Sequence, residues 1–174
     1  MEVSLIPQDT IKIKGKHSVV LVNPVLLKNK TTANAVLLLR KHPEFHANNI
    51  IESQPLRIEG PGEYEIGGIK ITGVKASDGF YYIIHVDSLD ILTGTSSSLS
   101  QTKDTPKECQ IIILMSDSAI SQSHLAALDA NAIIFYGAHA AENLKSLGKE
   151  ETTSNKYTFT PDNLPAETQF LSLG

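Results

Sequence analysis

Apolar and polar residues alternate with period two over residues 11–14, Ile-Lys-Ile-Lys, as expected of a half-buried strand. A more continuous apolar run at 18–22 ends at Asn23-Pro24. Proline gives no donor to a sheet ladder and drives the preceding residue toward extended geometry, so a corner belongs there. A turn or short helix over 31–34 leads into a third strand at 36–39. Five short strands follow at 56–58, 62–66, 69–72, 80–86 and 90–93, separated by Gly60-Pro61-Gly62, Gly67-Gly68 and Ser77-Asp78-Gly79. Gly-Gly and Asp-Gly supply the positive φ of tight hairpins, which predicts an antiparallel meander.

Past a Ser/Thr-rich connector at 95–107 the rhythm changes. Unbroken apolar runs at 109–115 and 132–136 read as strands buried on both faces. Helices are expected at 121–130 and 140–147, the second ending at Gly148, a left-handed C-terminal stop. Strands at 157–159 and 168–173 close the chain. A meander followed by a strand-helix-strand-helix-strand unit predicts a mixed α+β fold: two mixed sheets packed face to face, with helices outside.

The 174 residues suit a single domain over 1–174, large enough to bury a core without a metal or disulfide. The single cysteine, Cys109, allows no internal disulfide and reads as an inert core thiol. No apolar run approaches the roughly 20 residues of a membrane span, and the start has no signal-peptide pattern, so a cytoplasmic, soluble protein is expected. A net charge of -4, no basic stripe and 6% aromatic residues disfavour a nucleic-acid accessory role. A homo-oligomer or a protein partner is expected instead, and an exposed strand at 10–14 could pair with a second subunit.

Residues 60–73, Gly-Pro-Gly-Glu-Tyr-Glu-Ile-Gly-Gly-Ile-Lys-Ile-Thr-Gly, resemble the metallo-β-lactamase-fold hydrolases, in particular small β-lactamase-like metal-dependent hydrolases with a Pro-Gly-Glu-Tyr-Glu strand turn. The resemblance extends over most of the chain. Residues 18–24 are similar to a strand that usually ends in Asp-Pro, here Asn23-Pro24. Residues 33–39 resemble the strand leading into the metal motif, 87–94 the strand carrying later ligands, and 162–173 the closing Leu-Pro-x-Glu-Thr strand. The resemblance implies an αββα sandwich with its site at the sheet edges. It also implies a His-x-His-x-Asp-His motif, a later His, a bridging Asp and a final His, holding zinc, iron or manganese that supplies hydroxide near neutral pH.

The ligand set departs from this pattern. Aligned without gaps from Ala33, Arg40 falls on the first His, His42 on the second, Glu44 on the Asp and Phe45 on the last His. A shift of two residues does not restore the motif. The N-terminal Gly-His-Ser segment is replaced by residues 6–10, a later His falls on Thr93, the bridging carboxylate on Thr95-Ser96, and the final His on His139. Two readings stay open. In the first, the domain has no metal and no turnover, and acts by binding, scaffolding or oligomerising. In the second, His42, Glu44 and His46, on alternate positions of an extended segment, join His139 in a reduced site for zinc, iron or manganese, hydrolysing an ester, lactone, amide or phosphodiester.

The remaining candidates have simpler explanations. His85 reads as a hydrogen-bonded sheet residue, His17 as part of a hairpin turn and His124 as a helix-surface residue. Ser96-Ser97-Ser98 lies in no Gly-x-Ser-x-Gly elbow and reads as loop. Gly60, Gly62, Gly67 and Gly68 are turn glycines, since neither Lys-Ser/Thr nor a helix follows them.

Overall fold

The structure is a computed structural model describing residues 1–7, 9–46, 50–101, 109–149 and 153–174. Its first sheet contains β1 (Glu2–Ile6), β2 (Thr10–Lys14), β3 (Val19–Val22), β4 (Ala35–Leu37), β5 (Leu56–Ile58) and, from the far end of the chain, β13 (Lys156–Thr158). The spatial order is β13-β1-β2-β3-β4-β5, with β3, β4 and β5 parallel and the rest antiparallel. The second sheet holds β6 (Gly62–Ile66), β7 (Ile69–Lys75), β8 (Phe80–Val86), β9 (Leu89–Thr95), β10 (Ile111–Met115), β11 (Ala132–Tyr136), β12 (Thr153–Ser154) and β14 (Gln169–Leu173). Its order, β12-β14-β11-β10-β9-β8-β7-β6, joins a parallel half to the antiparallel meander read from the turns.

The two sheets stack through one apolar layer. Val3, Ile11, Ile13, Val20, Val22, Ala35 and Leu37 meet Ile71, Tyr82, Ile84, Ile91, Ile111, Ile113 and Ile134 in a single buried cluster. The unbroken apolar runs of β10 and β11 arise because these strands are buried on both faces. Ile111 and Ile113 point between the sheets, while Ile112 and Leu114 lie under α1 (Ser96–Ser100), α2 (Gln122–Ala126) and α3 (Ala140–Ser146) through Leu99, Leu125 and Leu144. The outer face of the first sheet, Leu21, Val36 and Leu38, is covered by Leu27, Phe45 and Ile51. These come from connecting segments, so all three α-helices among the described residues pack on the second sheet.

Several local expectations change. The strand at 10–14 is paired on both sides, by the unforeseen β1 and by β3, so it offers no free edge; β13 lies outside β1. The expected loop beginning at Thr95 contains α1. The Thr95 hydroxyl caps it, accepting from the Ser98 amide at 3.1 Å, while residues 102–108 of that connector lie outside the described residues. The helix expected over 121–130 stops after Ala126. Asn131 is drawn into the sheet by its amide bond to the Gln110 carbonyl, and Thr168 donates to the Ala130 carbonyl. The β8–β9 hairpin turns on Asp87 and Ser88, with φ of 51° and 63°, where no glycine signals it. The Asp87 carboxylate accepts the Lys16 amide at 3.1 Å and so holds the turn in a conformation most side chains avoid.

The sheets are joined by close backbone contacts at one corner. The Phe80 amide donates to the Leu39 carbonyl at 2.8 Å, and the buried Tyr82 hydroxyl donates across the core to the Leu38 carbonyl at 2.8 Å. A Cβ on Gly79 would lie 2.2 Å from the Leu39 carbonyl oxygen, and one on Gly73 would lie 2.3 Å from that of Gly60. On the same side of the second sheet, β6 is the terminal strand in its order among the described residues, and its Glu63 and Glu65 are exposed.

Gly73→Ala should cost about 1–3 kcal/mol by forcing two backbones apart. Gly60→Ala, whose new methyl meets nothing within 4 Å, should stay within about 0.5 kcal/mol of the parent. Urea denaturation midpoints of the two variants make the comparison.

Candidate functional site

The C-terminal ends of β4, β7, β9 and β10 converge at one rim of the sandwich, the position at which sheets with parallel strands present ligand-binding loops. Arg40, three residues past β4, extends into this rim. Its Nη2 donates to Asp78 Oδ2 at 2.8 Å, to Asp117 Oδ2 at 2.5 Å and to Ser97 Oγ at 3.2 Å. Asp78 comes from the β7–β8 turn, Ser97 from the first turn of α1 and Asp117 from the loop after β10. Ser97 Oγ donates to Asp117 Oδ2 at 2.6 Å, and its amide donates to Asp117 Oδ1 at 3.0 Å. Ser98 Oγ donates to Asp78 Oδ1 at 2.6 Å. One guanidinium nitrogen thus sits at the meeting point of three oxygens, from a turn, a helix and a loop.

The electrostatics follow from this arrangement. Hydrogen bonds from Ser98 and then Arg40 hold the Asp78 carboxyl below the usual carboxylate range. Burial pushes the Asp117 carboxyl up, but the Ser97 hydroxyl and amide together with Arg40 outweigh it and leave it lowered. The Asp78 bond and the two carboxylate charges raise Arg40 further, so it stays charged at every accessible pH.

The segment expected to carry the metal motif is folded differently from its sequence reading. Residues 42–46 do not run extended: the Phe45 amide bonds to the His42 carbonyl at 3.0 Å, closing a turn over Pro43-Glu44. Alternation therefore no longer places His42, Glu44 and His46 on one side, and all three are exposed. Phe45 is instead buried under the first sheet. Arg57 of β5 holds the turn, donating to the carbonyls of Phe45 at 2.5 Å and His42 at 2.9 Å, pairing with Glu59 at 2.7 Å and lying 5.8 Å above the Phe45 ring. His139 precedes α3 and bonds through Nδ1 to Glu142 at 2.8 Å. The four sequence candidates form no common cluster. Among the described residues no group of three or more His, Cys, Asp or Glu is arranged to hold a metal ion.

Other positions fall as their neighbours dictate. Thr93 is fully buried on the inter-sheet side of β9, away from the rim, whereas Thr95 lies beside Ser97 and Ser98 at 3.0 and 2.8 Å. His85 pairs with Asp90 at 2.7 Å on the sheet surface, as its strand position suggests, and His124 bonds to Ser121 on the surface of α2. His42 and Arg40 border a cavity of about 210 Å³ with Asn23, Leu26, Leu39 and Met115. The sequence reading aligned Arg40 with the first His of the metal motif and named none of its acceptors. Asp78 read only as a hairpin residue and Asp117 carried no signal beyond following a buried strand.

No protein-family model matches the chain, and a search of curated proteins finds no match. Solved structures do match. A protein of Thermotoga maritima, assigned to the metallo-β-lactamase superfamily as a Zn-dependent hydrolase, superposes with a TM-score of 0.75 at 15% identity, covering 99% of this chain and 97% of that one. A protein of Parabacteroides distasonis assigned as a metal-dependent hydrolase gives 0.55 at 14% identity over 97% and 91% of the two chains. An isothiocyanate hydrolase from Delia radicum gut bacteria gives 0.54 at 12% identity over 91% and 99%. The chain has the metallo-β-lactamase fold. At its rim lies the Arg40 guanidinium paired with Asp78 and Asp117.

Because Asp78 and Asp117 titrate below their ordinary value of 3.8 when folded, the folded chain binds fewer protons than the unfolded one in the window below that value. The stability they contribute is complete above about pH 4 to 5 and is lost as pH falls through the lowered values. Asp117→Asn should destabilise the protein near neutrality by about 1–3 kcal/mol and flatten this acid limb. Denaturation curves taken from about pH 6 down to about pH 2 would show both effects.

Proposed function

We propose that this chain uses the metallo-β-lactamase fold without a metal, as a domain that binds a protein partner or a second copy of itself and has no hydrolytic turnover. The observation that carries this reading is the Arg40–Asp78–Asp117 cluster at the rim. A metal ion there would face a guanidinium that cannot lose its proton. Two like unit charges at 4 Å repel by about 4 kcal/mol at an effective dielectric of 20, and a divalent ion doubles that. The turned His42–Pro43–Glu44–Phe45 segment supports the same reading, since its main chain is held by Arg57 and leaves the histidines in solvent. The net charge of -4 favours a protein partner over a polyanion. No helix among the described residues is long and apolar enough to cross a membrane.

Protein purified without chelators should carry well under one equivalent of zinc, iron or manganese by plasma mass spectrometry. It should also show no metal-dependent turnover of ester, lactone, amide or phosphodiester probes. A near-stoichiometric metal that disappears in His42→Ala/His46→Ala would overturn the reading in favour of a reduced-site hydrolase.

A further inference from the structure

We propose that the outer edge of β6 is a docking site for an extended, basic segment of a partner protein, which adds to the second sheet as a further strand. This rests on the reading of the chain as a protein-binding domain, and it names the surface and the partner's chemistry.

Among the described residues, β6 pairs with β7 on one side and with no strand on the other. The turn decides which of its backbone groups face the open side. Gly67 and Gly68, with φ of 58° and 79°, join Ile66 directly to its opposite residue Ile69. A two-residue turn of this kind is closed by a hydrogen bond between the residues that flank it. Bonded and non-bonded pairs then alternate along an antiparallel ladder. Gly62, Tyr64 and Ile66 therefore turn their amides and carbonyls toward β7, and Glu63 and Glu65 turn theirs outward. The two residues whose main chain is open to a new strand are the two that carry charge.

A docking strand would form its bonded pairs with Glu63 and Glu65, and the side chains opposite them would lie on the same face, with Cβ atoms about 5 Å apart. Both glutamates are exposed, and neither enters an ion pair among the described residues. Lysine or arginine at those two positions is favoured, and acidic residues are repelled. The position between them lies opposite Tyr64, which packs half-buried against the inter-sheet core, so an apolar residue belongs there. β7 presents the same pattern from the inner side, with Lys70 opposite Glu65 and Ile71 opposite Tyr64. A cavity of about 460 Å³ opens along this hairpin, lined by Glu63, Tyr64, Glu65, Lys70, Ile71 and Thr72. The charges disfavour a second copy as occupant: two β6 edges paired antiparallel about Tyr64 would set Glu63 of each against Glu65 of the other. β2 has the required alternation in Ile11-Lys12-Ile13-Lys14, but it is paired on both sides and cannot supply the segment.

The test titrates the full chain against a fluorescein-labelled peptide, Thr-Lys-Val-Lys-Val-Lys-Thr, by fluorescence anisotropy. Saturable binding with a Kd below about 100 μM is expected, and no binding at about 1 mM would overturn the proposal. N-methylation of the lysine amides keeps the charge but removes the donors that face β6, and should weaken binding at least about tenfold. N-methylation of the valine amides, which face away, should change it less than about threefold. Glu63→Lys/Glu65→Lys should weaken binding at least about tenfold and should instead bind the peptide with Glu in place of Lys. Equal binding of the peptide methylated at lysine would reduce the effect to charge alone and overturn the proposal, as would unchanged binding by Glu63→Lys/Glu65→Lys. Light scattering should show no parent dimer that this double variant dissociates; such a dimer would make a second copy the occupant and overturn the proposal too. The methylation arms use the parent chain, so they decide the matter even if the variant does not fold. Metal content and turnover decide the proposed function, and a metal-free chain that ignores the peptide would sink the β6 edge alone.

Discussion

The approach of the two sheets at one corner sets the position of everything at the rim. Where the Phe80 amide meets the Leu39 carbonyl, the first sheet passes within one hydrogen bond of the second, and Gly79 leaves the space for it. Arg40 is the next residue after that contact, so its side chain emerges directly opposite the turn that carries Asp78. Moving the corner apart by even a side chain would lift the guanidinium away from both carboxylates. The hydrophobic layer between the sheets supplies the bulk of the driving force, but it is non-directional. The corner contacts convert a packed sandwich into one with a defined rim.

Much of the architecture was legible because the strands obey simple constraints. The paired glycines 67 and 68 adopt the positive φ that a tight hairpin needs, and the unbroken runs of β10 and β11 are covered on both faces. Gly148, at φ 66°, ends α3 as a C-terminal glycine should. The misreadings share a cause, which is long-range contact overriding local pattern. Residues 96–100 form a helix because Thr95 and Asp117 satisfy its first amides, and Asp117 lies twenty residues from the Ser97 amide it accepts. Asp87 and Ser88 adopt left-handed geometry without glycine because a distant backbone amide, that of Lys16, anchors the turn.

The rim was legible only in its departures. Alignment identified Arg40 as out of place in a metal motif, yet the residues that accommodate it are 38 and 77 positions away, with no periodicity connecting them. The histidine segment misled for a different reason. Alternation has meaning only in extended backbone, and Pro43 begins a turn that Arg57, on another strand, closes with two bonds to its carbonyls. Composition says nothing about which carbonyls an arginine will reach.

The grip of Arg57 on the His42–Phe45 turn gives the divergence from the hydrolase pattern a conformational side. Had the chain departed from that pattern only in the identity of a few side chains, writing histidine at positions 40 and 45 would suffice to rebuild the motif. Position 45, however, points inward beneath the first sheet, with a guanidinium stacked on its ring and another element's side chain holding its carbonyl. A histidine placed there would enter the apolar cover and not the rim. Bringing a side chain at position 45 to the rim would therefore require a different course of the main chain and release of its carbonyl by Arg57.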